Sequence, residues 1–125
     1  MSAKRDDYAK IQEIFEVVAE TQRQIAALSF SKERFCFPAN DSDDLIAEGI
    51  LNRVLRATEE AGHLSEEVAR RYGFERAAVN GVRNRLAHAY GDVNRQIIWS
   101  VLENDFPKLL QSCHDFCDDR GIELE

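Results

Sequence analysis

Glu75-Arg76-Ala77-Ala78-Val79-Asn80-Gly81-Val82-Arg83-Asn84-Arg85-Leu86-Ala87-His88-Ala89-Tyr90 decides how this chain is read. No residue in it is proline and no stretch alternates with period two, so the spacing predicts one helix closed by Gly91. At about 100° per residue, Val79, Val82, Leu86 and Ala89 fall within roughly 80° of one another and form the expected buried stripe. Asn80, Arg83, Asn84, Ala87 and His88 spread over the remaining side, with small Ala87 at its middle. A merely solvated face would more often carry lysine or glutamate there. This face therefore reads as a site, with Tyr90 on its flank two turns beyond Arg83.

Working outward, every other periodic segment is also helical. Ile11, Ile14, Phe15, Val18, Ile25 and Leu28 predict a first helix from about Asp6 to Leu28. Phe30 to Asn40, which holds Pro38, reads as a loop anchored by Phe35 and Phe37. Asp41 or Ser42 is the expected cap of a second helix with core stripe Leu45, Ile46, Ile50, Val54 and Leu55, ending near Gly62. Ser65 caps a short third helix that stops at Tyr72-Gly73. After the Glu75–Tyr90 helix, a fifth begins near Asn94 and carries Ile97, Ile98, Val101 and Leu102. Pro107 is expected to break or restart it after Asp105, with Leu109, Leu110, Cys113 and Phe116 buried before Gly121. The expectation is an all-α antiparallel bundle of four to six helices, one domain spanning residues 1–125.

Composition bounds the function. The 125 residues are 44% apolar and 31% charged, the balance of a globular chain. No apolar run approaches a membrane span, and the polar start Met1-Ser2-Ala3-Lys4-Arg5-Asp6-Asp7 is unlike an export signal. With three cysteines, an odd count, this predicts reduced thiols and a cytoplasmic location. The net charge of −7 argues against nucleic acid at long range. Its distribution qualifies that, because residues 50–95 carry 8 basic and 6 acidic groups, whereas both flanks are acidic. The helix of interest lies in the only net-basic third.

Arginine grips phosphate bidentately at any physiological pH, and histidine is suited to moving protons near neutrality. Together they could cut a phosphodiester without a metal. Arg56 and His63 fit the same permissive spacing, but lack a polar residue after the arginine and a tyrosine two past the histidine. Cys113, His114 and Cys117 read as core packing rather than a metal site, since no second Cys/His pair completes a tetrahedron. Asp43, Asp44 and Glu48 favour a helix dipole and need no Mg²⁺. Trp99 with Ile97 and Ile98 belongs to the core or an interface between copies, and Tyr72 and Phe74 to the joint around Gly73.

The fuller string Arg83-Asn84-x3-His88-x-Tyr90 resembles the HEPN superfamily (higher eukaryotes and prokaryotes nucleotide-binding). Within it the chain looks most like HepT toxins paired with small nucleotidyltransferase antitoxins. The resemblance runs from about residue 8 to 118 and is sharpest over Asn80–Val93, with Ile98-Trp99 following. It implies a helical bundle whose dimer lines a shared cleft with two motif faces. It implies a metal-independent, cofactor-free ribonuclease in which Arg83 and His88 are catalytic and Asn84, with Asn80, is a supporting polar position. Tyr90 matches the tyrosine that receives AMP from the partner enzyme, which silences the toxin. Arg85 and Arg53 are candidate contacts to RNA phosphate, the RNA being tRNA or mRNA. The alternative is a non-catalytic HEPN module that binds nucleotide or a nucleotidyltransferase.

Overall fold

The computed structural model describes the backbone of residues 2–124 and the side chains of residues 7–124. Its elements are α1 (Ser2–Ala27), α2 (Lys32–Cys36), α3 (Asp41–Gly62), α4 (Glu66–Tyr72), α5 (Glu75–Ala89), α6 (Arg95–Ser100), a π-helical turn (Val101–Asp105) and α7 (Phe106–Asp118). There is no strand among the described residues, so the fold is all-α as expected. α3 is the central helix, with α5 on one side and α1 on the other, while α7 closes against α1 and α4. Where the layers meet, Ile11, Ile14, Val18, Phe35, Val54, Phe74, Ile98, Phe106 and Phe116 are fully or almost fully buried.

Local chemistry explains most of the boundaries. Ser65 accepts from the Val68 N–H, and the buried Asp7 carboxylate accepts from the Ser65 N–H (2.8 Å) and hydroxyl (2.7 Å), tying the start of α1 to the cap of α4. Asn94 caps α6 by accepting from the Gln96 and Ile97 N–H groups. Gly73 ends α4 in the left-handed region at φ 81°, where only glycine is unstrained.

The segment expected to be a plain loop contains α2, capped by Ser31. Phe35 is buried as expected, but Phe37 is 68% exposed. A one-turn helix is too short to show periodicity, and α2 is held by tertiary contacts. Arg34 donates to Asp43 at 2.8 Å, and Arg95 donates to the Phe35 carbonyl at 3.0 Å. The Arg34 guanidinium lowers the Asp43 carboxyl from its ordinary range. The cap of α3 is Asn40 rather than Asp41 or Ser42. Leu45, placed in the core stripe by its spacing, is 76% exposed, because it lies at the rim of an open groove rather than under another helix. Leu28 and Ile97 are likewise exposed.

Pro107 does not break the last helix. Proline removes the N–H that would bond four residues back, and its ring crowds that carbonyl. The chain answers by widening one turn, so that the Phe106 N–H bonds to the Val101 carbonyl five residues back and the helix continues. Asp105 accordingly makes no cap hydrogen bond. It is buried in the π turn instead, and its carboxylate accepts from the Asn80 side-chain amide at 3.2 Å.

Candidate active site on α5

Which face of α5 turns inward is settled by how closely it approaches α3. Ala77 and Gly81 are the buried residues of α5, and a Cβ placed on Gly81 would lie 2.6 Å from the Thr58 Cβ. Only hydrogen at position 81 permits that spacing. The expected inward stripe is therefore wrong: Ala77 and Gly81 face α3 instead. Val79 is 52% exposed, Val82 46% and Leu86 57%, and Ala89 is exposed too. Larger side chains would hold the two helices apart, so the small residues take the contact and the branched ones face out.

This rotation redistributes the candidate site residues. Asn80, Asn84 and Ala87, expected on the open face, are half-buried. Asn80 is spent on Asp105, bracing α5 against the π turn. The Asn84 Nδ2 is buried without a hydrogen-bond partner, as is the Arg85 Nε. A buried donor left unmet is costly, so each of these is a standing demand for an acceptor. Arg85 also donates to Glu59 at 3.1 Å, and Arg53 donates to Gln24, so both candidate phosphate contacts are already engaged.

Arg83, His88 and Tyr90 remain exposed, and no hydrogen bond or ion pair joins their side chains to another described residue. Five residues apart, Arg83 and His88 diverge by about 140° around the axis. Arg83 borders the apolar stripe Val79–Val82–Leu86. His88 leans the other way, into an open groove of about 330 Å³ whose opposite wall is α3, with Leu45, Glu48, Gly49, Leu51 and Asn52. Nothing in local sequence marks those α3 residues as neighbours of His88; tertiary packing alone brings them there.

The C-terminus of α5 is built to display its end. Gly91 has φ 70°, the Gly91 N–H bonds to the His88 carbonyl (3.0 Å), and the Asp92 N–H bonds to the Ala87 carbonyl (2.8 Å). This doubled closure is the Schellman arrangement. It fixes the backbone of His88 and places Tyr90, 85% exposed, at the tip of the helix.

The other candidates resolve as packing. Cys113 and Cys117 are buried in the core, and the Cys113 thiol donates weakly to the Ile11 carbonyl at 3.7 Å. Burial, with Cys117 adjoining, pushes the Cys113 thiol up to about 12. Trp99 packs against Phe35 and is core. Tyr72 lies edge-on to Phe116, and its hydroxyl donates to Asp119 at 2.6 Å. No helix among the described residues is long and apolar enough to cross a membrane.

Comparison with known proteins agrees with this architecture. No curated protein and no solved structure matches the chain. A family model described as "Ribonuclease HepT-like" matches residues 2–115, which contain the whole of α5 and of α3, the helix it packs against. With that match covering nearly all of the bundle, the chain belongs to the HepT-like ribonuclease family, within the HEPN superfamily.

Proposed function

We propose that this protein is the toxin of a toxin–antitoxin pair, a metal-independent endoribonuclease that works as a homodimer. One observation carries the reading. Arg83, His88 and Tyr90 stand exposed along the second half of α5 and its cap with no side-chain partner among the described residues, and Arg83 borders an apolar stripe that is itself about half exposed. An exposed contiguous apolar patch rimmed by polar residues marks an interaction surface. Packing Val79, Val82 and Leu86 against the same residues of a second copy is a self-complementary contact of the kind a two-fold dimer needs. It sets the Arg83 side chains of both protomers along the seam.

The reaction is attack of a ribose 2′-hydroxyl on the adjacent phosphorus. A bond forms from the 2′-oxygen to phosphorus, the bond to the 5′-oxygen breaks, and the products are a 2′,3′-cyclic phosphate and a 5′-hydroxyl. His88 takes the 2′ proton, and water in its groove supplies a proton to the leaving 5′-oxygen, because the imidazole lies about 150° around α5 from the dimer stripe and faces its own α3. Arg83 neutralises charge growing on the phosphorane, most effectively where water is excluded. The unmet Asn84 amide, one turn before His88, donates to a phosphate oxygen or orients the ring.

Tyr90 is the control point. Its phenol attacks the α-phosphorus of ATP on a partner nucleotidyltransferase, pyrophosphate leaves, and an adenylate anion is fixed at the helix tip. That bulk and charge occupy the place RNA phosphate needs beside the arginine. The decisive experiment expresses wild type, His88→Ala and Arg83→Ala, and follows a labelled RNA in the presence of chelator. Wild type should leave 2′,3′-cyclic ends, while each variant loses roughly 10²-fold or more of the rate. An undiminished His88→Ala enzyme sinks the proposal. Mass spectrometry after incubation with the nucleotidyltransferase and ATP should find adenylate on Tyr90 and none on a Tyr90→Phe chain.

A further inference from the structure

Gly49 sits in the interior of α3, where glycine weakens a helix relative to alanine. Unlike Gly81, it answers to no packing demand, for a Cβ built on it meets nothing within 4 Å. On the helix it lies between Leu45, one turn before, and Asn52 and Arg53, one turn after. The missing side chain leaves a saddle in the outer crest of α3. That saddle borders two hollows at once: the groove containing His88, and a cavity of about 190 Å³ between α1 and α3. Any side chain at position 49 would raise a wall between them.

The cavity has the chemistry of a flat ring with a polar edge. Its walls are Ile25, Phe30, Ile46 and Ile50, all apolar. Its polar atoms come from Gln24, Arg53 and Thr21. The Thr21 hydroxyl gives its proton to the Val17 carbonyl at 2.6 Å, so its remaining lone pairs are acceptors. Gln24 and Arg53 are hydrogen-bonded to each other at the same edge and supply both donor and acceptor groups. On the far side of the saddle, Arg95 pairs with the Glu48 carboxylate at 3.1 Å and shares its guanidinium with Asp44 at 3.4 Å, which offsets part of the repulsion of a phosphate beside His88.

We infer that this cavity takes one unstacked base of single-stranded RNA, and that the attached sugar–phosphate crosses α3 over Gly49 to reach His88. Apolar faces with a hydrogen-bonding edge are how such bases are held when they leave the stack. This rests on the nuclease reading for what His88 does, and extends it by naming where the neighbouring nucleotide lies. Gly49 and the cavity residues are then specificity determinants rather than catalytic ones.

The test uses ¹⁵N-labelled protein titrated with each ribonucleoside 3′-monophosphate in turn, and RNA cleavage by a Gly49→Leu variant. Leucine is a good helix former and a Cβ at position 49 meets nothing within 4 Å, and a wild-type far-UV circular dichroism spectrum and Tm verify that the variant folds. Saturable shifts at the amides of Gln24, Ile25, Gly49 and Ile50, stronger for one base than the others, are expected. Gly49→Leu should weaken that binding at least about tenfold and raise KM for RNA by a similar factor, kcat changing less. Absence of shifts at those amides, or a Gly49→Leu enzyme with wild-type KM and cleavage pattern, overturns the base site while leaving the nuclease reading intact. Shifts at those amides in a wild-type protein that cuts no RNA support the site and sink the nuclease instead.

Discussion

Substituting Gly81 by alanine adds one carbon where α5 touches α3. The new Cβ would lie 2.6 Å from the Thr58 Cβ, 2.7 Å from its Oγ1 and 3.1 Å from its backbone carbonyl carbon. Carbon atoms normally rest about 3.5–4.0 Å apart, so α5 must back away by roughly 1 Å or bend. Overpacking of this kind costs about 1–3 kcal/mol, and a backbone neighbour that cannot rotate aside puts the value near the upper end. Gly→Ala inside a helix recovers about 1 kcal/mol of propensity. The net expectation is a loss of roughly 2 kcal/mol, or about 6–10 °C in Tm for a chain of this size. Urea denaturation followed by far-UV circular dichroism measures it. Thr58→Ala should not rescue the loss, since the closest approach is to the Cβ that alanine keeps. A Gly81→Ala protein as stable as wild type, or more so, would show that α5 is free to slide on α3, and the inward face assigned here would have to be abandoned.

Two further outcomes follow from exposure and burial. Leu86→Asp, at a site with no covering residue in the protomer, should leave helicity unchanged and convert a dimer to a monomer in sedimentation experiments; a wild type that is monomeric at high concentration removes the stripe as a docking face. A thiol reagent at pH 8 should modify half-buried Cys36 in the folded protein and reach Cys113 and Cys117 only on unfolding. The reason is that burial raises both thiols above their ordinary range, Cys113 to about 12. Rapid native-state labelling of Cys113 would mean that the α1–α7 seam opens far more readily than its packing implies.

Much of this molecule is legible from the chain because its signals are local. Ser65, Asn94, Gly73 and Gly91 each mark a helix end through a hydrogen bond or a backbone angle made within a few residues. The motif Arg83-Asn84-x3-His88-x-Tyr90 belongs to the same local class, and it pointed to the family that the match over residues 2–115 establishes. By contrast, α2 and the π turn escaped. The first is one turn long and stands on Arg34–Asp43 and Arg95, and the second is the helix's accommodation of Pro107.

The larger gap concerns orientation. Periodicity shows which residues of α5 are apolar and share a side, and it grouped Val79, Val82 and Leu86 together. It does not show whether the packing of the chain covers that side. That was decided by the distance between α3 and α5, which Ala77 and Gly81 permit and branched side chains forbid. The same packing turned Asn80 toward Asp105, left the Asn84 amide unmet, and set His88 beside the glycine saddle of α3. Sequence by itself determined the long helices, most of their ends and the family; tertiary structure decided the short helix α2, the π turn and which side of each helix meets which neighbour, because steric fit between distant segments has no local signature.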